Sequence, residues 1–177
     1  MKTEKKYTDQ ELIEKVLNKE TAIFELIIRR NKPYLYRIGK MYNFSHEDIQ
    51  DLMQETYMDA FTHLGQFGNR SSFRTWISKI MLNRCFHKRQ KWYTKHMESL
   101  DNNSQIITDL HNTETSDQVM NTELRSIIEK SLLRIPEDYR TAFTLREING
   151  LSVRETAEVL EISESNVKVR VNRLKHT

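Results

Sequence analysis

The chain has 177 residues, of which 37% are hydrophobic and 30% charged, with only 4 glycines and 2 prolines. So few turn-forming residues exclude an all-β sandwich or barrel and a collagen-like or proline-rich protein, and they favour an all-α fold. No apolar stretch is long enough for a membrane span and the N-terminus lacks a signal-peptide core, so we expect a cytoplasmic protein without membrane insertion. Cys85 is the single cysteine, and no Cys or His pair has zinc-ligand spacing. We therefore expect no disulfide, metal or cofactor.

Charge divides the chain into three segments. Residues 1–91 carry 17 Lys and Arg against 11 Asp and Glu, residues 92–120 carry 1 against 5, and residues 121–177 carry 10 against 9. The middle segment is acidic, polar and without helical periodicity, which is typical of a flexible connector. We therefore predict two small helical domains, 1–91 and 121–177, joined by a linker over 92–120.

The first domain shows the start signals of several helices. Thr8 and Glu11 form a capping box, and the apolar spacing that follows leads to Pro33, where we predict that a further helical segment starts. Ser45 opens the next helix, and Ser71 or Ser72 opens the last. Apolar spacing predicts the core faces of these last two helices: Ile49, Leu52, Met53, Thr56, Tyr57, Ala60, Phe61 and Leu64, then Phe73, Trp76, Ile77, Ile80 and Met81.

The second domain ends in two short helices. Apolar residues over 124–132 predict a first helix, Pro136 starts a second, and Asn149-Gly150 ends it. A capping box at Ser152 opens a helix through Leu160, and a three-residue turn at 161–163 leads into the final helix. This pattern is typical of a helix-turn-helix, although an ordinary helical hairpin fits the pattern equally well.

A long basic segment runs through the end of the first domain. From Ala60 to Met97 the chain has no acidic residue, but it has eight Lys and Arg and seven of the 16 aromatic residues. Cations that follow a backbone, with rings on which bases stack, favour a single-stranded nucleic-acid surface. The alternative is a solvated basic face over an aromatic core.

An acidic face precedes the basic segment. Asp48, Asp51, Glu55 and Asp59 recur at i, i+3, i+7 and i+11, so they share one side of a helix. No second segment supplies matching ligands for a metal or a partner for acid-base catalysis, and we assign no catalytic residue. A basic partner surface and a solvated face both explain the stripe.

The final helix presents a polar side opposite its apolar residues. That side carries Ser165, Lys168, Val169 and Asn172, with Arg170, Arg173 and Lys175 at its flanks. Short polar and basic side chains read base edges in a major groove, and flanking cations meet phosphates. This helix therefore suits duplex DNA.

Together these features resemble an extracytoplasmic-function (ECF) sigma factor, a two-domain bacterial transcription initiation factor. The resemblance rests first on DLMQETYMDAF from Asp51, then on FGNRSSFRTW from Phe67 and IMLN from Ile80. Its second part comprises LRIPEDYR from Leu133, LREINGLS from Leu145, ETAEVL from Glu155 and VKVR from Val167. Glu161 departs from the pattern, because helix-turn-helix turns often have glycine there.

The resemblance implies a role for each surface. The acidic helix would bind the polymerase clamp through Asp48, Asp51, Gln54 and Glu55. The minus-ten element, with a flipped non-template base, would be held by Gln66, Asn69, Arg70, Ser71, Ser72, Asn83, Arg84, Lys88 and Arg89, with Trp76 supporting the pocket from the core. The minus-35 duplex would be read by Ser165, Asn166, Lys168, Val169, Arg170, Asn172 and Arg173.

The implied partners are core RNA polymerase, at its clamp and flap, promoter DNA, and an anti-sigma factor. Two rival functions stay open at this stage. One is a duplex-only helix-turn-helix regulator whose first domain binds a ligand or dimerises, which leaves the aromatic basic segment unexplained. The other is a small helical enzyme, but the sequence lacks P-loop, HExxH, GxSxG and Cys/His catalytic patterns.

Overall fold

The computed structural model describes residues 7–97, 131 and 134–175, and every regular element in these ranges is helical. This confirms the predicted all-α fold. Within these ranges no helix is both long enough and apolar enough to cross a membrane.

The first domain contains four α-helices around one apolar core. They are α1 (Asp9–Leu17), α2 (Phe24–Met41), α3 (His46–Thr62) and α4 (Phe73–Met97), with short 3₁₀ turns at Thr21–Ile23 and Leu64–Gln66. The helix starts predicted at Thr8, Ser45 and Ser72 are confirmed. Thr8 and Glu11 form a reciprocal capping box, the Ser45 hydroxyl accepts from the backbone N–H of Asp48, and Ser72 accepts from that of Thr75.

Pro33 does not separate two helices, so that prediction was wrong. It lies inside α2, which runs without interruption from Phe24 to Met41. A proline inside a helix costs roughly 3 kcal/mol because it removes one backbone hydrogen bond. Ile27, Leu35 and Ile38 lie on both sides of it with no exposed surface, and burying each contributes about 1.5 to 3 kcal/mol. Packing of the two halves into the same core therefore outweighs the local cost.

Close contact between α2 and α3 depends on Gly39. A Cβ at this position would lie 2.8 and 2.9 Å from the two γ-carbons of the fully buried Ile49. We expect Gly39→Ala to lower the free energy of unfolding by about 1 to 3 kcal/mol, because the methyl overpacks the crossing. Urea denaturation followed by circular dichroism measures this loss.

Gly65→Ala provides the matched control. The nearest atom to its added methyl is a Leu17 δ-carbon at 4.0 Å, an ordinary contact. We expect a change below about 0.5 kcal/mol there. If the two variants lose equal stability, close packing at Ile49 is not the cause.

The described part of the second domain is a compact helical unit. Helix α5 (Glu137–Phe143) begins after Pro136 and continues as a π-helical turn over Thr144–Ile148; α6 (Val153–Leu160) and α7 (Glu164–Lys175) follow. Gly150 has φ +74°, as expected after a helix end, and Ser152 forms the predicted capping box. The helix predicted over 124–132 lies outside the described residues except for residue 131.

The last two helices form the predicted tight-turn pair. Glu161 adopts the left-handed conformation, with φ 55°, so the turn keeps its geometry without glycine. Ala142 of α5, Ala157 of α6, and Val167 and Val171 of α7 form one buried cluster. The small Ala157 lets the helices approach closely, and the cluster fixes α7 with its opposite side toward solvent.

The two domains share an interface along α4. Leu145, Leu151 and Val159 of the second domain belong to the same apolar cluster as the core of the first. Helix α4 runs to Met97, so residues 92–97 of the segment predicted as linker are helical, while 98–120 lie outside the described residues.

Candidate nucleic-acid and partner surfaces

The acidic side of α3 is largely paired with cations of α4. Asp48 accepts a hydrogen bond from Lys88, whereas Glu55 and Asp59 both bind the Arg84 guanidinium. Burial alone would raise the pKa of Asp48, but hydrogen bonds from Lys88 and Ser45 bring it below its usual value. Of the four carboxylates predicted to share a face, Asp51 is exposed and forms no ion pair within the described residues.

An apolar groove adjoins this acidic side. It has a volume of about 480 Å³ and is lined by Phe24, Ile28, Lys32, Gln50, Met53, Gln54, Tyr57, Met58 and Phe61. Met58 is 62% exposed and Phe61 43%, so the prediction of Phe61 as a core residue was wrong. Its ring packs edge-on against Phe24 at the groove margin, with 5.1 Å between centroids. Sequence reasoning missed Met58, although Gln54, Met58 and Phe61 share helical spacing.

An aromatic cluster supports the loop between α3 and α4. The ring centroids of Phe67, Phe73 and Trp76 lie 5.2 to 5.6 Å apart. Phe73 is buried and Trp76 half-buried, which fits a supporting role for the tryptophan. The predicted loop residues above this cluster vary in exposure: Gln66, Asn69, Arg70 and Ser72 are exposed, and Ser71 is half-buried.

The cations predicted to meet minus-ten phosphates already have acidic partners. Arg84 and Lys88 bind α3, and Arg89 forms an ion pair with Glu137 of the second domain. The pairs of Arg84 and Lys88 with α3 are partly exposed, and ion pairs near the surface contribute only about 0 to 1 kcal/mol, so a DNA phosphate could replace these carboxylates at little cost. The Arg89–Glu137 pair is more enclosed, with side chains 29% and 25% exposed. Asn83, which also lies on α4, is exposed.

The polar side of α7 faces solvent. Its exposed residues include the predicted Ser165, Asn166, Lys168, Val169, Asn172 and Arg173. Two arginines are positioned by neighbouring side chains: Arg170 donates to Asn166 at 3.1 Å and pairs with Asp138, and Arg173 donates to the Tyr139 hydroxyl at 2.7 Å. The structure therefore brings the predicted duplex-reading residues together on one helix.

One contact between the domains was not predicted from the sequence. A carboxylate oxygen of Glu155 in α6 accepts hydrogen bonds from the hydroxyls of Ser72 and Thr75, at 2.8 and 2.9 Å. In the sequence, Glu155 is the third residue of the Ser152 capping box and the first residue of the ETAEVL motif, and neither pattern predicts a contact with α4. Its second oxygen does serve that box, accepting from the backbone N–H of Ser152 at 2.8 Å.

Both helical regions match models of sigma factor domains. Residues 27–93 match Sigma-70 region 2, and residues 125–175 match Sigma-70 region 4. The chain is thus a sigma factor, a class of non-enzymatic subunits that direct RNA polymerase to promoters.

Curated relatives of similar length narrow the class. The chain is 28% identical over 176 residues to the ECF RNA polymerase sigma-E factor of Haemophilus influenzae, covering 94% of this chain and 90% of the relative. It is also 28% identical over 176 residues to the RNA polymerase sigma-H factor of Pseudomonas aeruginosa, with 93% and 89% covered. The chain belongs to the ECF sigma factors, as its sequence motifs indicate.

Solved structures of similar fold include two complexes. CnrH bound to the cytosolic domain of CnrY has a TM-score of 0.69 at 21% identity, with 95% of this chain and 92% of that chain covered. The sigma factor RpoE bound to the anti-sigma factor NepR, from Bartonella quintana, has a TM-score of 0.66 at 20% identity, with 86% and 92% covered. At these identities the likeness concerns the fold.

Proposed function

We propose that this ECF sigma factor docks on core polymerase through α3, captures a flipped minus-ten base at the 66–72 loop, and reads the minus-35 duplex with α7. The observation that carries this proposal is that α3 and α7 turn separate, chemically different faces to solvent, one apolar with an acidic edge and the other polar and basic. Domains 1–91 and 121–177 would then divide single-strand and duplex recognition between them.

Docking on the polymerase clamp would use the exposed part of α3. Asp51 and Gln54 lie beside the apolar groove, so a basic, partly apolar partner helix finds both kinds of contact there. Asp48 and Glu55 can contribute by exchanging their partners on α4 for cations of the clamp, since ion pairs that are partly exposed to solvent are weak.

Minus-ten capture would occur at the loop held by Phe67 and Trp76. Extracting a base from its stack costs a few kcal/mol, so a preformed pocket favours the open duplex only where the right base is present. The aromatic cluster anchors the loop on the core, which reduces the ordering that binding would otherwise require. Sequence reading and strand opening then become one event.

Minus-35 reading can be tested at Lys168, which is exposed on α7. We expect Lys168→Ala to weaken binding of polymerase holoenzyme to minus-35 duplex and to lower the slope of log K against log salt by about one unit, as for one lost phosphate contact. Titrations of labelled duplex at several salt concentrations measure the slope. Lys19→Ala, an exposed change in the first domain, should leave it unaltered, and an unchanged slope in Lys168→Ala would count against this contact.

An inhibitory protein partner completes the proposal. The two solved structures of similar fold are complexes with a second protein, which in one of them is an anti-sigma factor. A helix with an apolar face could occupy the groove beside Gln54 and so compete with the clamp. The flap of the polymerase is the proposed partner of the second domain, and all these encounters take place in the cytoplasm, where polymerase acts.

Run-off transcription with core polymerase tests the whole proposal. We expect a transcript of defined length from cognate promoter fragments only when this protein is added. A duplex-only regulator would instead give footprints confined to paired DNA, with or without polymerase, and no new transcript. That result would overturn the proposed division between the two domains.

A further inference from the structure

Two arginines of the first domain lie against the ring of one tyrosine. The guanidinium carbon of Arg74, in α4, lies 3.8 Å from the centroid of the Tyr34 ring, and that of Arg37, three residues after Tyr34 in α2, lies 5.6 Å from it. Arg37 is exposed, whereas Tyr34 and Arg74 are half-buried. These three residues form the Tyr34 cluster, which places two positive charges where α2 meets the start of α4. The cluster belongs to none of the surfaces proposed above for polymerase or DNA.

Contact with the ring leaves the hydrogen-bond donors of both arginines available. A guanidinium that lies over a ring uses its face, while its five N–H groups stay in the plane of the group. In the part of the chain that the structure describes, neither Arg37 nor Arg74 forms an ion pair or a side-chain hydrogen bond. The ring also restricts the positions of the two side chains, so that a ligand has less ordering to impose when it binds.

Four other cations of α4 differ from the Tyr34 cluster in this respect. Lys79, Arg84, Lys88 and Arg89 each form an ion pair with a carboxylate. An anion that binds one of these four side chains must displace that carboxylate, whereas at the Tyr34 cluster there is none to displace. Arginines that present paired N–H donors bind carboxylate or phosphate groups with two parallel hydrogen bonds. The Tyr34 cluster is therefore better prepared than these four cations to bind an external anion.

The geometry of the cluster favours a phosphate over a base. Bases stack on open ring faces, but Arg74 already covers a face of Tyr34, and Arg37 approaches the same ring. The cluster also adjoins the 66–72 loop, because Arg74 follows Ser72 by two residues. If the loop holds a flipped base, as proposed above, the phosphates of the same strand that flank this base are the anions closest to the cluster.

We propose that Arg37 and Arg74, positioned by Tyr34, bind two backbone phosphates of single-stranded DNA beside the 66–72 loop. Binding at this site does not depend on base sequence, because contacts to phosphate carry no sequence information. The site holds the strand while the loop selects the base. Its place on promoter DNA rests on the proposed function of the loop, whereas its affinity for a DNA strand does not.

Titration of the full chain with labelled oligo(dT) of about 12 nucleotides tests the site, because this length spans a typical single-strand site. We expect the double variant Arg37→Gln, Arg74→Gln to lower the slope of log K against log salt by about 1.4, since each phosphate contact with a single strand contributes about 0.7. At about 50 mM salt, the affinity of this variant should fall about tenfold or more.

The double variant Lys19→Gln, Arg29→Gln is the matched control. It also removes two positive charges from exposed positions of the first domain, and Arg29 lies on the same helix as Arg37. We expect its salt slope to equal that of the parent protein. Equal losses in the two double variants would reveal a general effect of net charge and overturn the proposed site. An equal loss of slope on a duplex of the same length would assign the cluster to paired DNA, which also overturns the proposal.

Lysine variants separate phosphate binding from a purely structural role in joining α2 to α4. Arg37→Lys with Arg74→Lys keeps both charges but loses the planar donors, so we expect the salt slope of the parent with an affinity about threefold lower. If the lysine variant loses as much slope as the glutamine variant, the arginines do not bind phosphate and the proposal fails. Circular dichroism verifies that each variant is folded. These measurements need no polymerase, so their failure is distinct from failure of the run-off experiment.

Discussion

Replacing Met58 by glutamate is expected to weaken binding to core RNA polymerase about 10- to 100-fold while leaving the fold intact. Met58 is 62% exposed on α3 and lines the groove beside Gln54, so its side chain contributes little to the core. In the docked state the same position would be covered by the clamp, and a buried carboxylate without a partner is costly. Fluorescence anisotropy of labelled protein titrated with core polymerase measures the loss.

Leu17→Glu is the matched control for this prediction. Leu17 is 52% exposed on α1, outside the groove, and undergoes the same chemical change. Thermal unfolding should show that both variants remain folded, while only Met58→Glu loses affinity. Unaltered polymerase binding by Met58→Glu would place the docking surface elsewhere on the chain. An equal loss in both variants would show a general effect of added negative charge.

Helix starts could be predicted because they depend on a few adjacent residues. The Thr8 capping box and the Ser45 cap each satisfy backbone N–H groups within one turn, so sequence alone contains the whole interaction. The prediction for Pro33 was wrong because it considered only local interactions. Its local effect is visible in the sequence, whereas the core contacts that keep α2 continuous come from distant residues.

The acidic stripe could be predicted, but not its partners. Periodicity places Asp48 and Glu55 on one side of α3, and it says nothing about which helix crosses that side. The crossing of α3 and α4 brings Arg84 and Lys88 onto these carboxylates, from 29 and 40 residues away. In this structure, carboxylates of α3 that were predicted to bind polymerase therefore form ion pairs with cations of α4 that were predicted to bind DNA.

The contact between Glu155 of the second domain and Ser72 of the first could not be predicted from the sequence. Glu155 already had a complete local explanation as the third residue of a capping box, and its second role involves Ser72, 83 residues earlier. A carboxylate has two oxygens, and each can accept hydrogen bonds from a different partner. A glutamate that completes a local capping box can therefore also bind residues that are distant in sequence. The available signal was the pair of small polar residues Thr75 and Ser78, three positions apart on α4 and both buried.

Promoter opening is expected to depend on Asn83. This exposed residue lies seven positions after Trp76, so it projects from the same side of α4 as the ring that supports the 66–72 loop. An amide there can hydrogen-bond a flipped base, a contact worth about 1 to 3 kcal/mol. We expect Asn83→Ala to reduce open complexes about tenfold, measured by permanganate reactivity of unpaired thymines, with polymerase affinity unchanged.

Gln90→Ala controls for loss of an amide from the same helix. Gln90 is exposed and lies a further seven residues along α4, two turns farther from the loop, so its loss should leave opening almost unaltered. A matching defect in both variants would indicate general strand contact along α4 rather than capture of one base. If Asn83→Ala weakened polymerase binding as much as opening, Asn83 would act in docking, and the separation of roles between α3 and α4 would be lost.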